Sequence, residues 1–223
     1  MQNNEVLLQN YKILIKKIDE YNEQYESKSK LLLVSKNLEQ GQIEHIIINT
    51  KQRIFGENKV QDAIDKWSDI KKNNPNIKLH LIGKLQTNKI KKAVKLFDVI
   101  ETIDSVELAC KVMDEALKIN KKIQIFLQIN IVNEPHKNGI MLKDFDKIFN
   151  EVNNDVTNIA GIMCVPPISG PAFFYFGYMN KIAKEHKISE ISMGMSTDFE
   201  TAIKFGSTQV RIGSFITASE SKN

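Results

Sequence analysis

Three short stretches carry residue types from which a reactive site could be built. In "LLLVSKNLEQ" (31–40), Lys36 directly follows a run of apolar, strand-forming residues. Partial desolvation at such a boundary favours the neutral amine, a nucleophile toward aldehydes. "MGMSTDFETA" (193–202) and "RIGSFIT" (211–217) each join a glycine to a hydroxyl, Gly194 with Ser196 and Gly213 with Ser214. Glycine lets the backbone come close to a ligand, and hydroxyls beside the free N–H groups of a helix start can hold a phosphate. Arg211 stands two residues before Gly213. Only Arg53 and Arg211 of the 31 basic residues are arginine, so arginine marks places that need a rigid, permanently charged fork. Singly, each feature has an ordinary explanation. A strand-end lysine is a common surface residue, a glycine–serine pair caps a helix, and a buried arginine pairs with a core carboxylate.

The elements that position these residues alternate in type. Strand-like runs occupy 31–35, 53–57, 78–83, 98–104, 123–130, 159–165, 190–195 and 209–214, several of them apolar nearly throughout, as parallel strands covered on both faces are. Helix-period segments occupy 58–71, 86–97, 105–119, 143–153, 172–187 and 197–205. Ser105 and Thr197-Asp198 have the character of N-terminal caps, and Gly206 of a C-terminal one. Ahead of them, Leu7, Tyr11, Leu14 and Ile18 follow helical spacing. The pattern predicts an α/β protein: a (β/α)₈ TIM barrel over 31–214, a leading helix over 1–26 and a short tail over 215–223, forming one domain across 1–223. A doubly wound sheet would more often open on a glycine-rich phosphate turn, and neither GxGxxG nor GxxxxGK[ST] occurs.

Composition narrows the function. A net charge of +4 without a concentrated basic patch argues against nucleic acid as a partner. No apolar run is long enough to span a bilayer, and the N-terminus lacks a secretory core, so a cytoplasmic protein without a membrane partner is expected. Cys110 and Cys164 fit no zinc spacing and read as small apolar residues in a reducing compartment. His45, His80, His136 and His186 show no ligand spacing, so no metal site is expected. "KIKKAVK" (89–95) reads as a solvated helix face. "AFFYFGYM" (172–179) reads as an aromatic face packed on the barrel, any exposed part being a partner surface.

Barrel geometry draws the three stretches together. Side chains at the C-terminal strand ends face the active mouth, and the loops after strands 7 and 8 commonly take phosphate. Lys36 ends strand 1, the Ser196 and Gly213–Ser214 loops follow strands 7 and 8, and Arg211 faces inward beside them. A ligand with an aldehyde, an acceptor nitrogen and a phosphate matches that set, and pyridoxal 5′-phosphate (PLP) has all three.

The motifs add a resemblance. "LLLVSK", "RIFGENKVQDAIDK", "LHLIGKLQTNKIKKAV", "VIETIDS", "LQINIVNEPHKNGI", "GIMCVP" and "ISMGMSTDFETAIKFGSTQVRIGS" occur in an order that resembles the pyridoxal phosphate homeostasis proteins. These are themselves similar to the barrel domain of alanine racemase. The resemblance implies a PLP-binding barrel, usually monomeric, with Lys36 as the Schiff-base lysine. It places Ser196, Gly213 and Ser214 on the phosphate, Arg211 against the pyridine nitrogen and Asn58 beside the ring, with His80 and Asn130 as candidate pocket walls. The tail "FITASESKN" (215–223) departs from the family pattern. A guanidinium beside the ring nitrogen disfavours its protonation and weakens the ring as an electron sink. The expectation is therefore a PLP carrier in vitamin B6 and amino-acid homeostasis, not an enzyme, with PLP-dependent apoenzymes as acceptors. The chain's end soon after strand 8, with no second domain to supply a further base, supports the same expectation. Alternatives are a PLP-dependent racemase or decarboxylase, or a cofactor-free Schiff-base aldolase.

Overall fold

The structure is a computed structural model describing residues 3–134, 136–155, 159–167 and 170–218. Its strands are β1 (Lys30–Val34), β2 (Ile54–Glu57), β3 (Lys78–Leu81), β4 (Val99–Ile103), β5 (Gln124–Asn130), β6 (Ile140–Met141), β7 (Ile159–Cys164), β8 (Glu190–Ser192) and β9 (Gln209–Ile212). All pair in parallel, in the order β4-β3-β2-β1-β9-β8-β7-β5, and a β4–β5 pairing closes the ring. The short β6 pairs with the C-terminal end of β5. The expected barrel is present, and the ring closure excludes the open sheet.

Closure makes the first and last strands neighbours. In the β1–β9 seam Lys30 stands opposite Gln209 and Leu32 opposite Arg211. The helices outside the ring are α1 (Asn4–Gln24), α2 (Gln40–Asn49), α3 (Val60–Asn73), α4 (Ile90–Leu96), α5 (Val106–Lys118), α6 (Phe145–Asp155), α7 (Ala172–Glu185), α8 (Phe199–Lys204) and α9 (Ser214–Thr217). None of the described helices is long and apolar enough to cross a membrane.

Strand alternation splits the core in two. One face of each strand packs on the helices, as Leu31, Leu33, Phe55 and Leu79 do with Trp67, Ile43 and Phe97. The other face fills the barrel, where Val99, Phe126 and Met163 form a small separate apolar cluster. Burying one such large apolar side chain contributes about 1.5–3 kcal/mol, so the outer layer dominates stability. Leu7, Tyr11, Leu14 and Ile18 of α1 are all buried, as their spacing predicts.

Local signals explain several boundaries. Ser105 caps α5 by accepting from the Leu108 N–H at 3.2 Å. Gly206, at φ +90°, follows α8 in the left-handed conformation. Helix α2 lies outside the helix-period segments named from the sequence, and it holds Gly41 and three consecutive isoleucines, residues of modest helix propensity. Its start is fixed by Gln42, whose side chain accepts from the Glu39 N–H at 2.9 Å. Lys91, Lys92 and Lys95 are exposed on α4 as expected. On α7, Phe176 and Met179 are buried while Phe173 and Phe174 are exposed. The expected tail lies partly outside the described residues; its first residues belong to α9.

Candidate functional site

Lys36 occupies a turn just beyond β1, held by a Leu38 N–H to Ser35 O bond of 2.9 Å. Its side chain is exposed, which corrects the expectation of partial desolvation. The strand ends at Val34, so Lys36 stands past the last ladder position, where no neighbouring strand covers it. Alternation puts Leu32 and Val34 on the interior side, and Val34 abuts Gly213: a Cβ on Gly213 would come within 2.8 Å of the Val34 carbonyl oxygen. Gly213 is thus the close-approach point between the ends of β1 and β9.

The loop residues converge. Ser214 donates through its hydroxyl to Ser196 Oγ at 2.8 Å, so the two hydroxyls meet across the gap between the β8 and β9 loops. Gly194 turns the first loop at φ +94°, a conformation that strains any other residue. Asp198 does not cap α8 with its side chain; it accepts instead from the Met195 N–H at 2.6 Å. The N–H groups of Asp198 and Phe199 donate to Met195 O at 3.1 and 2.9 Å. Those two leading amides are therefore engaged, contrary to the expectation of a free helix start, and the hydroxyls are left as the prominent polar groups.

Arg211 lies 5% exposed beneath this rim. It donates to Ser192 Oγ at 2.8 Å and to Cys164 O at 2.7 Å, which engages two of the five guanidinium donors. Ser192 donates onward to Glu101 Oε2 at 2.6 Å. Glu101 Oε1 accepts from Gln209 Nε2 at 2.6 Å and lies 2.6 Å from His80 Nδ1. Burial alone would raise the Glu101 carboxyl; the bond and charge of His80, the charge of Arg211 and the Ser192 hydroxyl outweigh it and hold the group below the usual carboxylate range. Burial pushes the neighbouring Cys164 thiol up to about 12, against the pull of Arg211, so it stays an inert thiol.

A cavity of about 810 Å³ opens on the β3–β7 side of the same mouth, with Ile82, Thr102, Gln128, Asn130 and Val165 among its walls. Lys36, Ser196 and Ser214 do not line it; they stand on the rim formed by the ends of β1, β8 and β9. Asn130 lines this cavity, and its amide donates to Glu134 O at 2.6 Å and Lys137 O at 3.1 Å, fastening the loop above. His80 is not a wall of the mouth. It lies 4% exposed inside the barrel and borders a small cavity at the strands' N-terminal ends, because one strand position below the rim already points into the polar interior.

Asn58 follows β2, and its Oδ1 is buried without a hydrogen-bond partner among the described residues. Gly83 lies directly against it: a Cβ there would come within 2.0 Å of Asn58 O. Gly83→Ala is expected to displace Asn58 and destabilise the fold by about 1–3 kcal/mol, as overpacking does, which thermal unfolding would measure.

Glu101, Ser192 and Gln209 escaped the sequence reading. Their signal was there as polar residues within strand-like stretches, Glu101 in "VIETI", Ser192 in "EIS" and Gln209 in "QVRI", all at buried positions. What could not be read was that the three would meet.

A profile of the alanine racemase N-terminal domain matches residues 10–220. The pyridoxal phosphate homeostasis protein of Buchnera aphidicola is 36% identical over 222 residues, covering 93% of this chain and 95% of its own. The protein of the same name from Escherichia coli K12 is 33% identical over 83% of each chain. Among solved structures, PipY of Synechococcus elongatus, determined with PLP bound, superposes with a TM-score of 0.80 at 29% identity, covering 91% of this chain and 99% of that one. Barrel closure, motif order and full-length similarity agree: the chain belongs to the pyridoxal phosphate homeostasis protein family, within the alanine racemase N-terminal-domain fold.

Proposed function

We propose that this chain binds PLP in the barrel mouth, linked to Lys36 as a Schiff base, and serves as a carrier that keeps the reactive aldehyde sequestered for delivery to apoenzymes. The observation that carries this reading is the meeting of Ser196 and Ser214 at 2.8 Å beside Gly213, which abuts Val34 at the end of β1, two residues before Lys36. Two hydroxyls that meet at the rim can both turn to donate to one phosphate oxygen.

The remaining residues fit the group. The orphaned Asn58 Oδ1 can accept from a ligand hydroxyl, and a rotated amide would offer an N–H instead. Arg211 presents a permanent cation from below, its fork held by Ser192 and the Cys164 carbonyl. PLP would supply an aldehyde for the lysine and an electron-poor ring. A fixed guanidinium near the ring nitrogen keeps that nitrogen unprotonated and discourages carbanion chemistry, which favours holding over turnover. Unpaired Cys110 and Cys164 suit a reducing cytoplasm.

The test is an absorbance titration of purified protein with PLP, followed by steady-state racemase and decarboxylase assays on common amino acids. A saturable visible band with no sustained turnover is expected. A colourless protein overturns PLP binding, and steady turnover overturns the carrier role.

A further inference from the structure

Behind the turn that presents Lys36 lies a second lysine that takes no part in the mouth. Lys66, on α3, sends its ammonium to three backbone oxygens of that turn: Ser35 O at 2.9 Å, Lys36 O at 3.3 Å and Leu38 O at 3.4 Å. The same nitrogen lies 2.8 Å from Glu57 Oε1, a carboxylate only 1% exposed. Glu57 Oε1 also accepts from Ser35 Oγ at 2.8 Å and from Trp67 Nε1 at 3.1 Å. Strand β2, helix α3 and the turn after β1 are thereby tied at one point.

We propose that Lys66 is a positioning residue for Lys36, a cationic staple that fixes the 35–38 turn and so the direction in which the Lys36 amine is presented to the mouth. The proposal rests on reading Lys36 as the cofactor-linked amine. A lysine serving only to neutralise Glu57 would need the carboxylate contact alone. Here three carbonyl dipoles of one turn converge on the same nitrogen, and dipoles so aligned repel one another unless a cation lies at their focus. An ammonium has three N–H donors, so four oxygen acceptors saturate it. The turn conformation and the cation therefore require each other. The Ser35 hydroxyl reinforces the link, since it anchors the same turn to Glu57 and to Gly56 O at 3.2 Å.

Lys66→Met alone would strand a buried carboxylate and could unfold the chain, so the informative variant is Glu57→Gln with Lys66→Met, which removes both charges together. Trp67, the only tryptophan, reports through its fluorescence that α3 is still seated. Two readouts follow. Without cofactor, hydrogen exchange of the Leu38 amide, which donates to Ser35 O, should accelerate about tenfold, the weight of one charge-assisted hydrogen bond. With PLP, half-saturation of the visible band should need about tenfold more cofactor, for the same reason. Lys66→Arg, which keeps a cation at the turn and a partner for Glu57, should hold both values near those of wild type. A double variant that keeps wild-type exchange and wild-type titration overturns the staple while leaving the Lys36 reading intact. A wild type without a visible band overturns the Lys36 reading, and this role with it. A Lys66→Arg variant that loses both values as the double variant does also overturns the proposal.

Discussion

Lys36→Ala should abolish the visible band on PLP addition while leaving thermal unfolding within about 0.5 kcal/mol of wild type, the usual range for an exposed surface substitution. The asymmetry follows from geometry. Lys36 is exposed and lies beyond the β1 ladder, so its side chain contributes little to the core. Any cofactor retained by the variant would be held by Ser196, Ser214, Asn58 and Arg211 without a covalent link. It should therefore wash out on gel filtration, whereas borohydride-reduced wild type keeps it. Mass spectrometry of the reduced protein checks the same point: the added mass should map to the peptide containing Lys36. A variant that retains the band, or a label on another lysine, rejects the assignment.

Glu101→Ala should produce the largest loss of stability. The carboxylate is fully buried and joins His80, Ser192 and Gln209 through three contacts of 2.6 Å. Removing it leaves those partners unsatisfied and the Arg211 charge buried without its carboxylate, a change of about 3–5 kcal/mol. For a chain of this size that lowers the melting temperature by about 10 °C. Acid should act through the same group. Its carboxyl is held lower in the folded state than in the unfolded chain, so the unfolded state takes up the proton first as pH falls. The stabilisation is therefore fully present above the ordinary carboxylate value of about 4.3 and is lost as pH drops through the lowered folded value. Glu101→Gln should flatten that acid limb, which thermal melts across an acidic pH series would show. Melts as steep in acid as those of wild type would mean that other carboxylates govern the response.

The barrel was legible because several of its strands are apolar nearly throughout and its helices are punctuated, and these signals are local. Strand ends were less so. The run 190–195 reads as one strand, but the ladder stops at Ser192, and Gly194 at φ +94° turns the chain into the loop that holds Ser196. Ser196, Gly213 and Ser214 were legible as a group because fold geometry assigns those loops a common location. The Glu101 network was not, because it joins residues 91 and 108 positions apart whose meeting depends on strand order. The Lys66 contacts were hidden similarly. Nothing in "GENKVQDAIDKW" says that its second lysine reaches back to carbonyls roughly thirty positions earlier.

The seam between β1 and β9 bears on synthesis. Residue 30 pairs with residue 209, so a nascent chain cannot complete the ring until residue 209 has left the ribosome. Lys36 follows one side of that seam, and Arg211 and Ser214 belong to the other. In the proposed reading, a half-made polypeptide would offer the aldehyde a lysine without its partners, so capture would wait on closure of the ring.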